Sequence, residues 1–159
     1  MNAAVLTVSD GVSHGAREDT SGDVLAELLS GEGYDVVRRV VPDDRAEIAH
    51  ALRELARDSR LVLTTGGTGV APRDVTPEAT RDVLDRPAPG IAEALRADSR
   101  AKTPHGLLSR GVAGTVGHAL VVNLPGSTGG CGDGFEVLRP ALGHALALLA
   151  DEQTAHRQT

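Results

Sequence analysis

Three glycines within four residues, Gly66, Gly67 and Gly69, follow the apolar run "LVLTT" in the stretch "LVLTTGGTGVAPRDVTPEAT". Because the three glycines lack β-carbons, the amides of the turn, Gly66, Gly67, Thr68 and Gly69, can turn toward phosphate oxygens. A helix starting near Thr76 adds the positive end of its dipole. Glycines at a strand exit also serve simply to form the turn. The stretch is not a Walker loop, since no Lys-Ser/Thr pair follows at the required spacing. It is not the dinucleotide fingerprint either, because six residues separate Gly69 from Thr76.

Those six include Arg73 and Asp74. A carboxylate beside a phosphate cradle is repulsive unless something compensates. Mg²⁺ held by one or two carboxylates and by phosphate oxygens would do so. Arg73 could instead pair with Asp74 and stiffen the loop. A second acidic pair, Asp43-Asp44, leaves the run "DVVRRVV". Asp44 has a local duty as a helix N-cap, with Glu47 three residues on. Asp43 has none. If strands 35–41 and 61–65 are neighbours, Asp43 and Asp74 converge on one cleft, an arrangement suited to metal-assisted nucleotidyl transfer. Ser9 and Asp10 close the first apolar run, and Asn123, Pro125, Gly126 and Ser127 close "LVVNLPGS". Four strand exits carrying such residues point to a phosphate-rich small molecule.

Other chemistries find less support. The histidines at 14, 50, 105, 118 and 144 show no zinc-site spacing. Ser109 lies in no G-x-S-x-G elbow. Cys131 is the single cysteine, read as an incidental small residue in a reducing compartment. The 159 residues carry a net charge of −6 with scattered basic residues and almost no aromatics, only Tyr34 and Phe135. That excludes a nucleic-acid groove, which needs a basic stripe and stacking rings. No secretory segment or membrane span is read, so a cytoplasmic protein is expected.

The elements that must position these residues alternate. Strands are expected at 3–9, 35–41 and 61–65. One helix is capped by Thr20 or Ser21, carries Val24, Leu25, Leu28 and Leu29 on its apolar stripe, and stops at Gly31 or Gly33. A second helix presents Ile48, Leu52 and Leu55. Thr76 reads as an N-cap before Pro77 and Glu78, and helices follow near 76–86 and 89–100. "LLSRGVAG" and "HALVVNLPG" read as an antiparallel pair joined around Gly114–Gly117. A last helix starts near Phe135, broken or kinked at Pro140. The expectation is an α/β three-layer sandwich, a mostly parallel sheet with helices on both faces and one antiparallel hairpin. One domain is expected over 1–152, with a frayed tail at 153–159.

Taken together, "VSD…EDTSG", "VPDD", "TTGGTGVAPRDVTPEAT", "TPHGLLSRGVAG" and "NLPGS" resemble the MogA/MoaB family of molybdenum-cofactor biosynthesis proteins, which includes the G domains of gephyrin and plant Cnx1. The resemblance runs from about Val5 to Leu149. It implies a molybdopterin-binding fold, a homotrimer, and adenylylation of molybdopterin by Mg-ATP, with adenylyl-molybdopterin passed to a molybdenum-insertion enzyme. It implies that Asp43 and Asp74 are catalytic and Mg²⁺-binding, that Gly66–Gly69 hold the nucleotide, and that Ser99 and Ser109 face the pterin. Residues 123–127 would form a second phosphate-proximal turn. The alternative within the family is a non-catalytic, MoaB-like binding or scaffold protein. The chain departs from the pattern after "NLPGS", where many relatives carry lysine and this one has "TGGCGDG".

Overall fold

The computed structural model describes residues 1–150; the expected tail at 153–159 lies outside them. In chain order the elements are β1 (Asn2–Val8), α1 (Asp10–Ser13), α2 (Thr20–Gly31), β2 (Asp35–Val41), α3 (Arg45–Asp58), β3 (Leu61–Thr65) and α4 (Thr76–Val83). They continue as β4 (Arg86–Pro87), α5 (Pro89–Lys102), a 3-10 turn (Pro104–Leu108), β5 (Ala113–Val116), β6 (Ala119–Leu124) and α6 (Thr128–Ala150). The six strands form one sheet in the order β2-β1-β3-β6-β5-β4. Strands β2, β1, β3 and β6 are parallel, whereas β5 runs antiparallel to both β6 and β4.

The central strands are apolar on both sides because both sides are covered. Ala3, Val5, Leu61, Leu63, Val122 and Leu124 pack with Leu25 and Leu29 of α2 and with Phe135, Leu138, Leu142 and Leu146 of α6. The alternate residues Ala4, Leu6, Val62 and Val121 pack with Ile48, Leu52 and Leu55 of α3 and with Ala79 and Val83 of α4. The expected three layers are therefore present, and the strand period of two assigns each residue its layer.

Several expectations need correction. Asp19, not Thr20 or Ser21, caps α2: its carboxylate accepts the Gly22 N–H at 3.1 Å. Thr76 is the first residue of α4 rather than its cap, and its hydroxyl donates to the Gly66 carbonyl at 3.0 Å. The helix stops at Val83, and Arg86–Pro87 forms a short edge strand where proline's missing N–H costs no ladder bond. "LLSRGVAG" is not a strand throughout. Thr103 caps a 3-10 turn that begins with Pro104, and the strand is confined to residues 113–116. Its turn to β6 uses Gly117, at φ +57. Strands β2 and β3 are not neighbours, since β1 lies between them. Finally, α6 starts at Thr128 and runs through Pro140 without a break. Two glycines of its first turns lie in tight quarters: a Cβ on Gly134 would sit 2.8 Å from the Leu124 side chain, and one on Gly130 would overlap Pro125.

Candidate active site

The chain leaving β1 passes to α1 and α2 and so to one face of the sheet; the chain leaving β3 passes to α4 on the other. Such a divergence of neighbouring parallel strands opens a crevice beyond their carboxyl ends. Here it is a cleft of about 470 Å³, lined among others by Ser9, Asp43, Gly66, Gly67, Asp74, Gly126 and Ser127. The two acids thus reach one cleft although β1 separates β2 from β3. At this edge β1 and β3 approach so closely that a Cβ on Gly66, whose φ is +99, would overlap the Val8 carbonyl oxygen. Gly67, at φ +67, is hemmed in by Thr76 and lies against Asp43: a Cβ there would be 3.2 Å from Asp43 Oδ1. The glycine turn is required by both backbone conformation and space.

Asp10 and Asp43 hold one another. The Asp10 N–H donates to Asp43 Oδ2 at 2.9 Å, and the Asp43 N–H donates to Asp10 Oδ1 at 3.0 Å. Arg73 reaches Asp10, with Nε 2.6 Å from Oδ2 and Nη2 3.0 Å from Oδ1, and also donates to the Asp43 carbonyl. Of the two readings left open for Arg73, the pairing with Asp74 is not the one formed. Asp74 instead turns its carboxylate back on its own loop and accepts the Ala71 N–H at 3.0 Å.

The electrostatics follow from this wiring. The Arg73 hydrogen bonds, helped by the Asp43 N–H, lower Asp10 to about 2. Burial pushes the Asp43 carboxyl upward; the Asp10 N–H opposes this, and the neighbouring charges of Asp10 and Asp74 add to the rise. Asp43 is therefore a carboxylate crowded by others. Among the described residues lining the cleft, Asp43, Asp74 and Glu18 face one cation, Arg17.

A second hollow of about 480 Å³ adjoins the first. It receives Thr68, Gly69, Ser99, Ser109, Asn123 and Pro125, and shares Ser127 with the cleft. Ser127 has a structural duty as well, since its hydroxyl accepts the Gly130 N–H in the first turn of α6. The Asn123 side chain is spent internally. Its carbonyl accepts the Val112 N–H, and its amide donates to the Thr64 and Thr80 hydroxyls, each at 3.0 Å. Asn123 positions the strand end rather than offering a free donor. Asp10 likewise stands beside the cleft as Asp43's holder.

Two basic residues escaped the reading of the sequence. Lys102 lines the second hollow between Asp98, at 3.0 Å, and Asp133, at 3.3 Å. It supplies an ammonium in a hollow whose neighbouring turn, "STGGCGDG", contains none. Arg110 ties the glycine loop to α4, donating to the carbonyls of Gly69 and Asp74 and to both oxygens of Glu78. The sequence carries no signal for it, because every partner is at least 32 residues away.

Comparison with known proteins agrees with this architecture. The chain is 46% identical to the molybdopterin biosynthesis enzyme MoaB of Thermus thermophilus, whose crystal structure superposes with a TM-score of 0.87 over 93% of this chain and 95% of that one. It is 36% identical over 154 residues to a molybdopterin adenylyltransferase of Helicobacter pylori, covering 94% of this chain and 88% of the relative. It is 39% identical over 160 residues to the molybdenum cofactor synthesis protein cinnamon of Drosophila melanogaster, covering 98% of this chain. This chain spans 26% of the length of cinnamon, and 47% of a bifunctional molybdenum cofactor biosynthesis protein of Synechococcus elongatus. Residues 4–144 match the MoCF_biosynth family, described as "Probable molybdopterin binding domain". With residues 4–144 matched by the family and nearly the whole chain superposing on MogA and MoaB structures, the chain belongs to the MoCF_biosynth family and is of the MogA/MoaB kind.

Proposed function

We propose that this protein acts in molybdenum cofactor biosynthesis as a molybdopterin adenylyltransferase, binding ATP in the first cleft and molybdopterin in the second. The observation that carries this reading is the convergence of Asp43 and Asp74, from different loops, on a cleft floored by Gly66 and Gly67 and adjoining a second hollow.

The donor set fits a hard divalent cation. Among the described residues no three His, Cys, Asp or Glu side chains cluster as a metal site. Two carboxylates completed by phosphate oxygens and water are nonetheless the usual ligand set of Mg²⁺. Carboxylates outnumber cations around the cleft, so a triphosphate needs such a counter-ion there. Asp43 and Asp74 would hold Mg²⁺, which when bound supplies charge neutralisation to the phosphates. The amides of Gly66–Gly69 would hold the phosphate oxygens. Ser99 and Ser109 would orient the pterin so that an oxygen of its terminal phosphate attacks the α-phosphorus in line. The new P–O bond forms as the bond to the β-phosphate breaks, and pyrophosphate leaves. The attacking phosphate is already ionised, so positioning and electrostatics supply the rate rather than a strong base.

The same reading makes the working assembly a homotrimer, observable as a particle of three times the 16.4 kDa chain mass. It also passes the adenylylated product to a molybdenum-insertion partner. The existence of relatives called bifunctional supports a neighbouring step. The deciding experiment is pyrophosphate release from ATP and Mg²⁺ with molybdopterin present. Release that requires all three establishes the transfer. Tight molybdopterin binding without release points instead to a non-catalytic, scaffold-type protein.

A further inference from the structure

Loop 66–75 is a common wall. Gly66, Gly67 and Asp74 face the first cleft, and Thr68 and Gly69 face the second hollow. The loop is fastened by two arginines from opposite sides. Arg73 holds it to Asp10 and to the Asp43 carbonyl on the side of the first cleft. Arg110 holds it on the other side through four partners. Its N–H donates to the Thr68 carbonyl at 2.8 Å, its Nε to the Gly69 carbonyl at 2.7 Å and its Nη2 to the Asp74 carbonyl at 2.7 Å. Its Nη1 reaches both Glu78 oxygens, at 2.9 and 2.8 Å.

Arg110 also has neighbours that belong to the second hollow. Ser109, immediately before it, lines that hollow, and the Gly111 carbonyl just after it accepts from Arg96, another lining residue, at 2.7 Å. Residues 109–111 therefore make a short link between groups that would touch one ligand and the backbone of Asp74, whose carboxylate would serve the other. A planar guanidinium is suited to this, because its five donors lie in a fixed fork, whereas an ammonium cannot span three separated acceptors at once.

We infer that Arg110 is a positioning residue that couples the two hollows, so that occupancy of the second sets the placement of Asp74 in the first. The inference rests on the assignment of nucleotide and pterin to those hollows. Coupling of this kind is reciprocal: whatever factor molybdopterin applies to nucleotide affinity, nucleotide applies to molybdopterin affinity. It also has a physical carrier, a path that is covalent from Ser109 to Arg110 and hydrogen-bonded from Arg110 to Asp74.

The test is a thermodynamic cycle by calorimetry, using molybdopterin and α,β-methylene ATP with Mg²⁺, a nucleotide that cannot donate its adenylyl group. In the wild type each ligand is expected to tighten the other by about fivefold or more, the usual lower range for coupled sites. Arg110→Lys keeps the charge and loses the fork. It should bind each ligand alone within about threefold of wild type while the coupling factor falls to near one. Glu78→Gln, which leaves the backbone contacts of Arg110 in place, should retain most of the coupling. Equal coupling in wild type and Arg110→Lys overturns the inference, as does independent binding of the two ligands to wild type. A wild-type protein that binds neither ligand overturns the assignment of the hollows and this inference with it.

Discussion

Asp10 and Asp43 exchange hydrogen bonds, each backbone N–H donating to the other's carboxylate at 2.9 and 3.0 Å. The exchange crosslinks the exits of β1 and β2. Its two members then diverge electrostatically, since Arg73 neutralises Asp10 while burial and its acidic neighbours work against ionisation of Asp43. A carboxylate held in place yet short of compensation is prepared for a cation.

Removing either cleft carboxylate should therefore remove turnover and spare the fold. Asp43→Ala and Asp74→Asn are each expected to lower pyrophosphate release by about 10²-fold or more, the scale for losing one positioned electrostatic group. Circular dichroism should be unchanged. Normal turnover in both variants would sink the catalytic reading.

The same divergence predicts an order of titration, observable by carboxyl carbon NMR without metal. Asp10 should titrate at about 2 and Asp43 above the ordinary value of 3.8. The signs for stability are opposite. Asp10, depressed in the folded state, contributes stability that is present above its unfolded value and lost as pH falls toward 2. Ionised Asp43, raised in the folded state, opposes folding, and protonation on acidification relieves it. At subsaturating Mg²⁺, activity that needs ionised Asp43 should accordingly fail on the acid side above the ordinary aspartate range. Saturating Mg²⁺ should move the Asp43 midpoint down. An Asp43 that titrates below Asp10 contradicts the wiring.

Gly66→Ala tests the close approach of β1 and β3. The added Cβ meets the Val8 carbonyl and the residue keeps a φ of +99, so destabilisation should exceed the ~1–3 kcal/mol typical of a strained backbone position. Urea unfolding measures it. A loss below about 0.5 kcal/mol would show that the turn can rearrange, since surface-like changes stay within that range.

Asn123→Ala should act on stability rather than chemistry alone. It leaves the Val112 N–H and the buried Thr64 hydroxyl without their partner, while the Thr80 hydroxyl keeps its bond to the Thr76 carbonyl, at a cost of about 1–3 kcal/mol for a buried group left unpaired. Thermal unfolding that matches wild type, with only nucleotide or molybdopterin affinity reduced, would make Asn123 a ligand contact instead.

How much of this was legible depended on the range of the interaction. The continuous apolar runs at 3–9 and 61–65, and the stripe of Ile48, Leu52 and Leu55, are local and give the elements correctly. Asp43 could be singled out because Asp44 had a local explanation, and Asp44 does cap α3 by accepting the Glu47 N–H at 2.9 Å. Arg73 misled because its sequence neighbour is Asp74, whereas its partner Asp10 lies 63 residues away. The run 107–112 looks like a strand, but Pro104 and the Thr103 cap start a turn, and the contacts of Arg110 to Thr68 and Gly69 hold the chain off the sheet. The start of α6 was hidden because isolated glycines disfavour helix. Here Leu124 and Pro125 leave no room for anything larger at Gly134 and Gly130.

The two rims of the sheet differ in what they carry. Every loop of the two hollows named above that leaves a parallel strand does so at one rim, while the Gly117 turn precedes β6 and so lies at the opposite rim. A linker, dye or surface tether grafted at that turn would leave the mouth unobstructed. The protein can thus be anchored from beneath and interrogated from above.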